Sequence, residues 1–142
     1  MTSEYEIKKQ ICDIGKRIYD RNMVAANDGN ISVKISDNEF LCTPTGVSKG
    51  FMTPEYICKV DRDGNVIQAN GNFKPSSEIK MHMRVYQQRP DVKSVVHAHP
   101  LYATSFINVS RSNTPEQYNA LYSPRLNPAV TSASIPASLR AA

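Results

Sequence analysis

The chain has 142 residues, of which 40% are hydrophobic and 21% charged, and its net charge is +4. These values are typical of one ordinary globular domain with its own core. No run approaches the ~18 consecutive apolar residues of a membrane span, and the polar start of the chain is unlike a signal peptide. Basic residues are interleaved with acids and form no stripe with aromatic platforms, so we expect neither nucleic acid nor a membrane as a partner.

The cysteines indicate a reducing compartment. Cys12, Cys42 and Cys58 are odd in number, scattered, and without C-x-x-C spacing. This pattern favours free thiols over a disulfide framework, and we therefore expect a cytoplasmic protein.

The first predicted element is an amphipathic helix over residues 4–21, with Thr2 or Ser3 as its N-cap. Isoleucines recur along it at spacings of four, three and four, which places them on one face of a helix. They are Ile7, Ile11, Ile14 and Ile18.

Short strands follow. Residues 31–35 alternate as a half-buried strand and, with residues 39–42, predict a β-hairpin. Further strands are expected at 56–60 and 66–68. The turn 61–65 between them begins like a calcium loop but lacks the glutamate that such a loop requires.

The second half of the chain starts with a predicted helix over 77–89, which Pro90 ends. A strand that looks buried is expected at 93–97, and a third helix at 100–107. Residues 108–142 are rich in proline, serine and alanine and contain no lysine. We predict a first region, 1–107, and a poorly structured tail, 108–142.

The most informative pattern is His97-Ala98-His99 at the end of a predicted strand. Side chains two apart on a strand share a face, so two imidazoles converge as in a divalent-metal site. Glu78, about twenty residues earlier, is a candidate ligand or acid/base. The alternatives are an exposed strand end for the histidines and complementarity to the helix dipole for Glu78.

Three loops offer backbone N–H groups beside a glycine or at a helix start, and two of them add hydroxyls. Such groups can hold a phosphate without a lysine, although each loop alone is more typical of a simple turn. The residues are Gly29 and Asn30, Thr45 and Gly46, and Ser76 and Ser77. His82 lies one turn after Glu78. We expect it to support the metal ligands without binding the metal itself, or to lie on the surface.

In order along the chain, Asn27–Ser32, Thr43–Gly46, Pro75–Glu78 and His97–Pro100 resemble the class II aldolase/adducin family over residues 1 to about 107. The resemblance implies an α/β fold of three layers, α/β/α, with a mostly antiparallel central sheet. It also implies homotetramers.

The same resemblance implies a lyase of carbohydrate metabolism. Its substrate would be L-fuculose 1-phosphate or a similar ketose 1-phosphate, cleaved reversibly to dihydroxyacetone phosphate and an aldehyde. His97, His99 and Glu78 would bind Zn²⁺ or another divalent metal, Glu78 would be the acid/base, and the three loops would hold the phosphate.

The sequence departs from the family after residue 107. The family's third metal histidine lies downstream of the H-x-H pair, whereas no histidine follows His99. We therefore expect a fold truncated at the C-terminus and weaker metal binding. The alternatives are a catalytically defective, adducin-like binding or assembly protein, or a sugar-phosphate epimerase or dehydratase of the same family.

Overall fold

The computed structural model describes residues 2–110, with the surroundings of side chains through Ser105. The described residues belong to two units that divide in sequence between Ala98 and His99. Within the described range, no helix is long and apolar enough to cross a membrane.

The first unit contains two α-helices, two short 3₁₀ helices and five strands. In chain order these are α1 Glu4–Asp20, β1 Asn30–Lys34, β2 Phe40–Cys42, the 3₁₀ helices Lys49–Phe51 and Pro54–Tyr56, β3 Cys58–Val60, β4 Val66–Gln68, α2 Ile79–Gln88 and β5 Ser94–His97.

Helix α1 follows the predicted isoleucine stripe. Ser3 is its N-cap, because its side chain accepts a hydrogen bond from the Glu6 backbone N–H. Ile11 and Ile18 are buried against the sheet, while Ile7 and Ile14 pack at the edge of the same cluster.

The strands form one antiparallel sheet in the order β4-β3-β2-β1-β5. The predicted hairpin is present: Ser32 lies opposite Cys42 in the β1–β2 pair. On its other side β1 pairs with β5, which places Asn30 opposite His97. The beginning of β1, the end of β2 and the end of β5 therefore meet at one end of the sheet.

Side chains alternate between the two faces of the sheet along each strand, so a hydrophobic core forms on each face. On one face Ile31 and Leu41 pack with α1. On the other, Cys42 and Val60 pack with α2. The layers are α1, sheet and α2, which agrees with the predicted three-layer α/β/α arrangement.

Two predictions about strands were wrong in detail. The sequence predicts a strand at Tyr56, but Tyr56 ends the second 3₁₀ helix. Pro54 favours a helical first turn, and the backbone N–H of Tyr56 donates to the Thr53 carbonyl. Strand β5 was expected to be buried, yet Val96 is 44% exposed. In the described sheet β5 is an edge strand, so it has a neighbouring strand on one side only and fewer side chains surround its residues.

The described part of the second unit contains α3, Leu101–Ser110. The predicted boundary after residue 107 falls inside this helix. Residues 111–142 lie outside the described residues, so the poorly structured tail stays a prediction.

Candidate functional site

The three predicted phosphate loops are residues 29–30, 45–46 and 76–77. The segment carrying the second loop lies between the other two. Thr43 is bonded to Ile31 twice, through its backbone N–H (3.0 Å) and through its side-chain oxygen (3.1 Å). On its other side, the Ser76 N–H donates to the Thr43 carbonyl at 3.1 Å, and the Thr45 N–H donates to the Lys74 carbonyl at 2.9 Å. Backbone hydrogen bonds thus bring the segments together at one end of the sheet.

Two glycines in these loops have a left-handed backbone but different surroundings. Gly29 has φ +74°, and a Cβ there would lie 2.8 Å from the His97 carbonyl oxygen and 2.5 Å from a Val24 methyl. Gly46 has φ +73°, and a Cβ there would meet nothing within 4 Å. Gly29 is therefore required for close packing against β5, whereas Gly46 faces open space.

Asn30 and Ser76 are the buried polar members of the loops. The Asn30 side-chain oxygen is buried and has no hydrogen-bond partner among the described residues. The Ser76 side-chain oxygen accepts the Glu78 N–H at 3.3 Å and so organises the start of α2. Thr45, Gly46 and Ser77 are exposed. The loops thus combine accessible groups with an unsatisfied buried acceptor.

Glu78 occupies the N-cap position of α2, and its carboxylate is exposed. A negative charge at this end of a helix is favoured by the helix dipole. The dipole interpretation and the acid/base interpretation are therefore both compatible with its position.

The predicted metal ligands do not form a complete site. His97 ends β5 and is half-buried, whereas His99 belongs to the second unit and is exposed. Over residues 2–110, no group of three or more His, Cys, Asp or Glu residues is arranged to hold a metal. The residues present do not complete a metal centre, so the ligand roles of His97, His99 and Glu78 stay predictions.

His82 forms a buried polar cluster with Ser32 and Tyr86. Its Nδ1 lies 2.7 Å from the Ser32 hydroxyl, which lies 2.9 Å from the Tyr86 hydroxyl. Burial, with a smaller effect of nearby His97, lowers the pKa of His82 from 6.5 to about 4. Burial likewise raises the pKa of Tyr86 to about 12. At neutral pH the cluster is therefore uncharged.

The position of His82 excludes the surface role that was one of two expectations, because only 1% of the residue is exposed. A signal was present in the sequence. Ile79, His82, Met83 and Tyr86 follow the spacing of one helical face, so His82 shares the buried face of α2.

Lys49 is a further polar residue that the sequence did not indicate. It is 1% exposed and lies at the start of the first 3₁₀ helix. Its Nζ donates to the carbonyls of Val47 (2.7 Å) and Asn27 (3.2 Å). It therefore joins the segments that carry the first two phosphate loops.

The family model of the Class II Aldolase and Adducin N-terminal domain matches residues 9–132. The L-fuculose phosphate aldolase of Methanococcus maripaludis strain S2 is 42% identical over 93 residues, which cover 66% of this chain and 49% of that protein. The 3-oxo-tetronate 4-phosphate decarboxylase of Haemophilus influenzae is 33% identical over 118 residues, which cover 81% of this chain and 55% of that protein.

The fold has solved counterparts as well. The Klebsiella pneumoniae protein YgbL superposes with a TM-score of 0.69 at 29% identity, over 75% of this chain and 50% of that one. The chain spans about half the length of the curated relatives it matches. Both the sequence match over most of its length and the shared fold show that the chain belongs to the class II aldolase and adducin family.

Proposed function

We propose that the protein is a class II aldolase-type lyase that cleaves a ketose 1-phosphate, L-fuculose 1-phosphate in the first instance, to dihydroxyacetone phosphate and an aldehyde. The supporting observation is that hydrogen bonds bring the segments of the three predicted phosphate loops together near His97, the last residue of β5. Relatives at about 40% identity that bear the name of this activity support the substrate class.

The phosphate would be held mainly by neutral donors. Thr45 and Ser77 offer hydroxyls and backbone N–H groups from exposed positions, and Gly46 leaves the approach open. Backbone N–H groups at turns and helix starts are suited to anions. This arrangement would fix one end of the substrate and leave its reacting carbons free to lie over the sheet end.

Glu78 is proposed to carry the proton. Cleavage breaks one carbon–carbon bond: the hydroxyl oxygen on one of the two carbons loses its proton as that carbon becomes the aldehyde carbonyl. The electron pair of the broken bond passes to the other carbon, which then takes up a proton to give dihydroxyacetone phosphate. A carboxyl group held beside the substrate can take up and return that proton. Glu78 lies two residues after Ser76, and its side chain is exposed at the surface.

Divalent-metal dependence, with zinc as the first candidate, belongs to the same proposal. When bound, such a cation supplies Lewis-acid stabilisation of negative charge on the substrate. His97 and His99 would be its imidazole ligands, and we expect weak binding because two histidines are fewer than a closed zinc site uses. We also propose a homo-oligomer, as the family resemblance implies.

The test is release of dihydroxyacetone phosphate from L-fuculose 1-phosphate by the purified chain supplied with Zn²⁺. We expect Glu78→Gln to lower the rate by about a hundredfold or more, in the range for loss of a general acid/base. Asp91→Asn is the matched control, since Asp91 is an exposed carboxylate beyond the far end of α2. Equal rates for the two variants would refute the role of Glu78.

A decarboxylase is the second candidate. It is favoured by the Haemophilus influenzae relative, which matches a larger share of this chain than the methanogen relatives do. Carbon dioxide release from 3-oxo-tetronate 4-phosphate, without aldol cleavage, would select it. A folded protein that binds phosphate but turns over neither substrate would instead support a binding or assembly role.

A further inference from the structure

We propose that Lys49 is a positioning residue of the phosphate site: its buried ammonium fixes the first two phosphate loops and favours a bound anion beside them. The inference rests on the proposed function, because it assumes that these loops receive a phosphate. It adds a cation to a site whose other members are neutral.

The first observation is the connectivity of the ammonium group. Nζ donates to the carbonyl of Asn27, two residues before Gly29, and to that of Val47, one residue after Gly46. Hydrogen bonds from a charged donor are stronger than those between neutral groups. One side chain therefore restrains both loops from within the protein.

The second observation is that the charge lacks a close counter-ion. In the described part of the chain no carboxylate forms an ion pair with Lys49, and Asp28 is the acid whose charge acts on it. Burying an ammonium group costs free energy unless a negative charge compensates. A phosphate in the adjacent loops would provide that compensation.

The third observation is that the fold holds Lys49 in place. Gly15, in the middle of α1, packs so closely that a Cβ there would lie 2.8 Å from the Lys49 carbonyl oxygen. Gly50 packs against the ring of Tyr19, where a Cβ would lie 2.5 Å from a ring carbon. A glycine inside a helix is less stable than an alanine at the same position. Gly15 lets α1 approach closely, and this approach buries the aliphatic part of the Lys49 side chain and holds its backbone in place.

The experiment measures binding of inorganic phosphate by calorimetry to the wild type and to Lys49→Met, which keeps the length of the side chain but removes its charge. Lys80→Met is the matched control, because Lys80 is exposed in the first turn of α2 beside the third loop. We expect Lys49→Met to weaken phosphate binding about tenfold or more, and Lys80→Met to change it less than about twofold, since a buried charge is screened less than an exposed one.

A second measurement does not depend on the stability of the variant. Reciprocal coupling requires that phosphate, if it favours the charged lysine, raises the pKa of Lys49 in the wild type. Titration of the lysine Cε signals by NMR, with and without phosphate, measures this directly. Equal phosphate affinity in Lys49→Met, or a Lys49 pKa that phosphate leaves unchanged, would overturn the proposal. A wild type that binds no phosphate would overturn the proposed phosphate site itself, and this inference with it.

Discussion

Acidification should destabilise the protein through the buried imidazole of His82. In the unfolded chain this group has a pKa near 6.5, whereas burial lowers the pKa in the folded protein to about 4. Between these values the unfolded state binds a proton that the folded state does not. The free energy of unfolding therefore falls as the pH falls through this window.

The magnitude follows from the two pKa values. Going from about pH 7.5 to about pH 5, the linkage relation gives a loss of about 2 kcal/mol from His82 alone. The carboxylates with lowered pKa values titrate below this range; they are Glu4, Asp37, Glu55, Asp61 and Asp91. The contribution of His82 is therefore separated in pH from theirs.

Urea unfolding followed by circular dichroism, with a chelator present, measures the effect at both pH values. His82→Gln removes the titrating group but keeps a polar side chain, and we expect it to abolish most of the pH dependence. His99→Gln is the control, because His99 is exposed. The reasoning would be refuted if the free energy of unfolding of His82→Gln depended on pH as strongly as that of the wild type. It would also be refuted if an NMR titration of the wild type found His82 ionising near its ordinary pKa.

Other substitutions should separate local strain, packing and burial. In urea unfolding, Gly29→Ala should lower the free energy of unfolding by about 1–3 kcal/mol more than Gly46→Ala does. Both glycines have positive φ, but close neighbours surround only Gly29. Equal losses of stability would contradict this difference in packing. Leu41→Ala should lower the free energy of unfolding by about 2–5 kcal/mol, since Leu41 is 0% exposed. Val66→Ala should lower it by less than about 0.5 kcal/mol, because Val66 is exposed. A small effect at Leu41 would mean that the protein closes the cavity left by the substitution. Burial raises the pKa of the Cys42 thiol, so a thiol reagent should modify Cys42 far more slowly in the folded protein than in urea, as peptide mapping would show.

Much of the fold was predictable because its signals are local. The isoleucine spacing of α1 and the alternation in β1 depend on residues a few positions apart, and both elements are present within a residue or two of their predicted bounds. The turn before β4 was also predictable, since the Asp61 side chain accepts backbone N–H groups from Asp63 and Asn65. Such bonds form within a short segment whatever the rest of the chain does.

The features that were missed depend on contacts between distant segments. Lysine is ordinarily an exposed residue, but Lys49 is buried where Gly15, thirty-four positions earlier, lets α1 approach closely. The partial exposure of β5 depends on its place in the strand order, which the composition of a single strand does not reveal. The loops of the candidate site were identifiable from their residue types. That they lie side by side could not be predicted, because the strand pairing and hydrogen bonds of the sheet bring them together.

The absence of a side chain at Gly29 has a mechanical consequence. A Cβ at Gly29 would lie 2.8 Å from the main-chain oxygen of His97, so the turn before β1 and the end of β5 are closely packed. A side chain at this position would push the two segments apart, so its absence sets the distance between the turn that is proposed to hold an anion and the imidazole at the end of the strand.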